Sequence, residues 1–433
     1  MNISKILLKK PRKILTLGSI FVAGMGLSFL VIYFISRNYG VSDVGIYALS
    51  IKIIFLMSAV SMKGIDISLL KYSAIYNSDN KNKHRALIIL CFKKILSLGL
   101  LISIFLFILS DFISLKVFKN INYSIPLKFC AIALPFFIIN NIISNFLKGI
   151  MMPYSSEIIR SVADKFFTFL ILIIGIWSYN LTNPVFAYTI ALILSSIIGL
   201  LFIYPKIKLS KSENKKIEEN KVLEGHRSIY FSSLITIINS QYIFYLTEIL
   251  LNSTFVGLLQ IIFKISTLCL IPLFISNILI APYISNFFHA NKSDDLNKLL
   301  SFNSLIICSL ALLIVFFTLI FSNEFLRFFS EDAQIYSKIL PIVLFGAFVN
   351  VFMGPSTLFM QMTGHTTQLR NNVIFTFLLN LPLSVYLINM YEFTGAVISL
   401  SLSISLIHIV NALTVYNKTN YKTFLSFYGK KTR

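Results

Sequence analysis

The sequence predicts an all-α integral membrane protein: twelve transmembrane helices in two pseudo-two-fold-related six-helix bundles. Three observations predict it. The 433 residues are 56% hydrophobic and only 13% charged, against about 45–50% and about 25% in soluble domains. The apolar residues fall in long runs, such as 95–109, 306–321 and 397–410, that are nearly free of charge. A helix that is apolar all round faces lipid or deep core, and about 20 such residues cross the hydrocarbon. The basic residues between the runs alternate between two sides. A β-barrel would instead show short segments alternating apolar and polar.

The spans fall at 14–36, 44–73, 86–110, 126–148, 163–180, 184–204, 229–250, 255–287, 299–322, 338–361, 371–391 and 394–416. The first follows Lys9, Lys10, Arg12 and Lys13 and reads as a span, because no cleavage site and soluble chain come after it. Of the 38 Lys and Arg residues, 29 then lie on the side of the N-terminus, six on the other side and three inside spans. Cytoplasmic loops carry the Lys/Arg excess, so both termini are expected in the cytoplasm. The same split assigns the net charge of +21 to orientation and anionic headgroups, not to nucleic-acid binding. The outer connections are short, the longest near 111–125 and 323–337.

The organisation expected is an N-terminal half at 1–205, a charged cytoplasmic linker at 206–228, a C-terminal half at 229–416 and a basic cytoplasmic tail at 417–433. The halves echo each other. Val44-Gly45 is followed after six residues by Lys52, and Val256-Gly257 after six by Lys264. Gly149 after the fourth span and Gly364 after the tenth are a weaker match. Six spans per half give a parallel repeat, and transporters so built bind substrate at the repeat interface.

Charges inside the spans are the candidate functional residues, because a charge at the bilayer centre costs about 2.5–3.5 kcal/mol and usually faces a partner or a wet cavity. Lys52, Lys63 and Asp66 lie on the second span and Lys264 on the eighth. On one unbroken helix, Lys63 projects ~20° from Lys52 and Asp66 ~40° the other way, which makes a polar stripe. Lys52 and Lys264 facing each other would repel unless an anion sat between them, which points to a phosphate-binding cavity; the alternative is snorkelling to the interface. Lys63 and Asp66, at i and i+3, either join the stripe or pair with each other. Arg37 and Glu248 close the first and seventh spans at nearly equivalent places. They either pair to hold the outer mouth shut or are solvated surface charge. Pro135, Pro272, Pro282, Pro341, Pro355 and Pro382 lie within spans, where each frees a carbonyl and bends its helix.

The residues exclude other classes. Cys91, Cys130, Cys269 and Cys308 are unpaired in apolar runs and read as small packing residues. No His-x-x-x-His or Asp-x-Asp pair offers a metal site, and no Gly-rich phosphate loop follows a strand. A membrane glycan polymerase would need a larger outer loop. No cofactor or metal is expected, and the chain is not read as an enzyme.

The stretch Tyr33-x3-Arg37-x2-Gly40-x4-Gly45-x-Tyr47-x-Leu49, followed by Lys63-Gly64-Ile65-Asp66, resembles the N-terminal signature of the polysaccharide flippases. These are the O-antigen and capsule repeat-unit transporters of the multidrug/oligosaccharidyl-lipid/polysaccharide exporter superfamily. Phe359-Met360-Gln361-Met362-Thr363-Gly364-His365-Thr366 resembles that family's exit from the tenth helix. The resemblance covers the whole chain. It implies export of an undecaprenyl-pyrophosphate-linked oligosaccharide from the inner to the outer leaflet of the bacterial inner membrane by alternating access. It also implies a cationic cavity, a role that maps onto Lys52 and Lys264, with Lys63 and Arg37 as further candidates. Asp66 and Glu248 are candidates for gating or ion coupling, as are Glu157 and Asp164 by their place near the spans. Membrane lipids and other polysaccharide-assembly membrane proteins are the expected partners. The runner-up is a cation-coupled drug exporter of the same architecture, and a glycan polymerase comes third.

Overall fold

A computed structural model describes residues 11–79, 83–177, 183–208 and 226–426. Outside them lie Lys5, Lys9, Lys10 and Lys81, most of the 206–228 linker, and the tail from 427 on. The long elements are α1 (Pro11–Asn38), α2 (Val41–Met62), α3 (Ile65–Asp79), α4 (Lys83–Phe112), α5 (Ser124–Gly149), α6 (Asp164–Trp177) and α7 (Pro184–Lys208). They continue with α8 (His226–Leu250), α9 (Ser253–Thr267), α10 (Ile271–His289), α11 (Ser293–Ile320), α12 (Ser322–Phe329), α13 (Leu340–Met353), α14 (Ser356–Met362) and α15 (Thr366–Thr419).

The chain is an all-α membrane protein of twelve spans. Among the described residues nine helices are long and apolar enough to cross a bilayer. One of them, α15, holds two spans, because Glu392 at φ 47 interrupts its helical path. Its arms run antiparallel: the Asn372 amide donates to Asn411 Oδ1 (2.9 Å) and to Thr414 Oγ1 (2.9 Å). Helices α6 and α8 complete the twelve. The described residues form two compact units, 16–238 and 239–426, the second taking in 11–15 as well. The outward faces are what lipid requires: on α4, Ile104, Phe105, Ile108 and Phe112 are all exposed.

The helices begin and break for local reasons. Asn183 accepts from the Val185 N–H (2.9 Å) and Pro184 opens α7, a side-chain cap followed by a residue preset for the first turn. Asn252 does the same for α9, accepting from the Phe255 N–H at 3.2 Å. Proline then creates carbonyls that need other donors. Pro135 inside α5 frees the Ala131 carbonyl, and the Ser103 hydroxyl of α4 donates to it. Pro272 frees the Leu268 carbonyl, and the Ile271 N–H takes it, which tightens Leu268–Leu270 into a 3-10 turn.

Hydroxyls also join the spans of the first unit. Thr189 and Ser196 of α7, seven residues apart and so on one face, donate to the Phe129 (3.3 Å) and Phe136 (3.1 Å) carbonyls of α5. In the second unit, Ser401 donates to the Ile342 carbonyl at 2.6 Å, and Gly346 lies so near Ser401 that a Cβ would meet its Oγ at 2.5 Å. The connection that carries α12 is not bare loop: Leu326 and Phe329 are buried on one face, and Asn323, Glu324 and Arg327 are exposed on the other.

Candidate functional site

Each unit carries a half-buried lysine eight residues after a Val-Gly valine within a span. In the first unit α2 begins at the Gly40 turn, and Val44, Gly45, Tyr47, Leu49 and Ser50 are buried. Lys52 follows, half-buried, one helical turn past Ala48. Around it, Tyr47 meets Tyr188 edge to face at 6.1 Å, Phe55 meets Phe137 at 4.8 Å, and the Cys130 thiol donates to the Ser50 carbonyl at 3.5 Å. In the second unit α9 buries Val256, Gly257 and Gln260 and presents Lys264, half-buried, one turn beyond Gln260. The repeat seen in the sequence thus gives its valine, glycine and lysine the same burial in both units.

The polar stripe is corrected. Lys63 is exposed and left-handed (φ 47), and Gly64 also has positive φ (77°), so α2 ends there and α3 starts anew at Ile65. A projection from Lys52 to Asp66 needs an unbroken helix, and two successive positive-φ residues destroy the helical phase. Lys63 is the C-cap of α2, while Asp66, half-buried, stands in the first turn of α3, where a carboxylate suits the positive end of the helix dipole.

Arg37 and Glu248 differ in burial. Arg37 is exposed in the last turn of α1. Glu248 is 3% exposed on α8. Phe244, one turn before it, packs on Phe263 of α9 at 5.8 Å. The first unit has a second embedded charge site. Asp164 is 8% exposed and pairs with Lys165 at 3.2 Å.

Several buried neutral groups were not foreseen from the sequence. Tyr242 of α8 shares a hydrogen bond with Ser384 at 3.2 Å and meets Phe377 edge to face at 5.4 Å. Asn411 also donates to Thr357 at 3.1 Å. Asn140 (6% exposed) and Asn380 (1% exposed) have both amide atoms buried without a partner, so each can bond a water or a hydroxyl. The signal was present as Asn within apolar runs, but a search for charge passes over it. Among the described residues no three His, Cys, Asp or Glu side chains gather to hold a metal.

These features define a polytopic all-α membrane protein, and solved structures share its fold. An inward-facing multidrug resistance MATE family transporter superposes with a TM-score of 0.73 at 13% identity, over 91% of this chain and 96% of that one. The lipid II flippase MurJ, in an inward closed conformation, gives 0.71 at 14% identity, over 92% and 87%. A MOP superfamily transporter from Pyrococcus furiosus, described with a binding pocket of reverse polarity, gives 0.65 at 14%, over 97% and 99%. At these identities the likeness is one of fold. The chain itself belongs to the polysaccharide biosynthesis protein family, whose model matches residues 11–288. The MatE model matches residues 228–386. No relative among curated protein sequences matches.

Proposed function

We propose that this protein flips an undecaprenyl-pyrophosphate-linked oligosaccharide repeat unit, such as that of O-antigen or capsule, from the inner to the outer leaflet of the bacterial inner membrane by alternating access. The observation that carries the reading is the repeated lysine: Lys52 and Lys264, at the same place in the Val-Gly repeat of each unit and half-buried within α2 and α9. An ammonium inside a bilayer is costly unless something uses it. A diphosphate headgroup would, because its own entry into a low-dielectric space needs compensating charge. Lysine serves as a point charge for phosphate and does not demand bidentate geometry. Membership of the polysaccharide biosynthesis family supports the same substrate class. In this reading Lys63 and Arg37 are secondary contacts, Asp66 and Glu248 serve gating or ion coupling, and both termini face the cytoplasm. Polysaccharide-assembly membrane proteins supply and consume the cargo.

The test is deletion in the source cell. Surface polysaccharide is expected to disappear while lipid-linked repeat units accumulate on the inner leaflet; unchanged surface polysaccharide contradicts the proposal. A second reading, cation-coupled export of small drugs, is favoured by the MatE match over residues 228–386. Drug sensitivity that rises on deletion, with polysaccharide intact, selects it.

A further inference from the structure

After the last span the chain folds back onto its own unit. Asn420 adopts a left-handed conformation (φ 59), and its N–H caps α15 at the Tyr416 carbonyl, 2.8 Å away. The Tyr421 ring then lodges against Phe359 (5.8 Å) and Phe288 (6.1 Å), and its burial raises the phenol above its ordinary value. Thr423 is fully buried. Leu425 packs beside Cys269, Cys308, Ala347 and Val351.

This segment sits on the break in the tenth span. Between α13 and α14 the helix is interrupted at Gly354 and Pro355. In a continuous helix the Phe352 carbonyl would accept the Ser356 N–H. Here that N–H goes to the Gly354 carbonyl at 2.8 Å, and the Leu425 N–H bonds Phe352 instead, at 3.0 Å. Gly354 has φ +68, and a Cβ there would lie 2.0 Å from the Thr423 carbonyl oxygen. Only glycine satisfies both the backbone conformation and the close approach. An orphaned carbonyl, a glycine and the returning backbone therefore fit as one device. The Thr423 hydroxyl is buried without a partner, a cost that the closed segment carries.

We infer that residues 420–426 are a strap: closed, it joins the ends of the tenth and twelfth spans into one block; released, it leaves Gly354–Pro355 as a hinge. The strap is independent of what the protein carries. With the strap shut, a conformational change must move α14 and the end of α15 together. With it open, α14 can swing on its own.

Amide hydrogen exchange on the purified full-length protein tests this. Leu425→Pro deletes the one N–H that bonds Phe352, whereas Leu425→Val retains it. Exchange across 356–362 is expected to speed up at least ~10-fold in Leu425→Pro, with 41–62 in the other unit unchanged and Leu425→Val like wild type; ~10-fold corresponds to about 1.4 kcal/mol of opening free energy. A chain ending at Asn420 is the second test and decides the matter if the proline variant folds poorly. Wild-type protection of 356–362 in that shortened chain overturns the strap.

Discussion

The second and eighth spans start alike and finish differently. Both bury a Val-Gly pair and reach a half-buried lysine eight residues after the valine. Beyond the lysine they part. The second span stops at Lys63 and Gly64, two positive-φ residues, eleven and twelve positions past Lys52. The eighth tightens at Leu268–Leu270, four positions past Lys264, and runs on to His289 with no positive φ. Glycine permits a change of direction by entering left-handed space. Proline imposes one by removing a donor. The pattern shared by the halves thus ends near the lysines, and the features beyond them are private to each half.

If the shared part is what handles the anion, both lysines matter equally, and this is the largest effect expected. Lys52→Ala and Lys264→Ala should each lower surface polysaccharide at least ~10-fold, since losing one charged contact costs about 1.5–3 kcal/mol. The lysine-to-arginine variants should retain most export. Loss confined to one lysine would break the equivalence of the halves. Protein level and monodispersity in detergent separate export defects from misfolding.

The private parts should show up in stability. Gly64→Ala forces a side chain into left-handed space and is expected to cost about 1–2 kcal/mol, read as a lower melting temperature. Pro272→Ala should stay within about 0.5 kcal/mol, because the Leu268 carbonyl can regain its ordinary helical partner. Lys63→Gly relieves strain and Lys63→Ala does not, so the glycine variant should be the more stable by up to about 1 kcal/mol. If the two export equally well, the lysine at 63 serves the backbone and not the cargo.

The smallest effect concerns the connections at the far ends of the spans. In the first unit, Lys128 reaches Asp111 at 3.0 Å on an exposed surface, and the Ser124 hydroxyl also donates to that carboxylate. In the second unit, Phe393 stacks on Phe255 at 5.2 Å and meets Tyr336 at 4.8 Å. Salt screens exposed ion pairs and leaves aromatic packing alone. Exchange near 111–128 should therefore quicken slightly in high salt, while that near 255 and 393 should not.

The twelve spans could be read from the sequence because charge-free runs of sufficient length have few alternatives in water or lipid. The second and eighth runs, 44–73 and 255–287, are longer than a bilayer requires, so each must tilt, bend or extend past it. The place of the break did not follow, since Lys63 carries no mark of a left-handed residue and Gly64 alone is tolerated in many helices. The projection of Lys52, Lys63 and Asp66 onto one face failed for that reason. The Asn372–Asn411–Thr357 network was illegible for a different one: asparagine is abundant along the chain, and hydropathy averages it away among isoleucines. The proline positions were plain, but Ser103, the donor that answers Pro135, lies 28 residues from Ala131, and Leu425, which bonds the carbonyl left open by the break at Gly354–Pro355, lies 73 residues from Phe352; only the fold pairs them.

The measurement that bears most directly on the repeated lysine is flipping by the purified protein in liposomes. These carry a polyprenyl-pyrophosphate oligosaccharide, and a sugar-cleaving enzyme confined to the outside reads arrival. Wild type and the Lys52→Arg/Lys264→Arg double variant should deliver substrate to that enzyme, and the Lys52→Ala/Lys264→Ala double variant should deliver no more than empty liposomes. A double-alanine protein that flips at the wild-type rate would contradict the role given to the two amines.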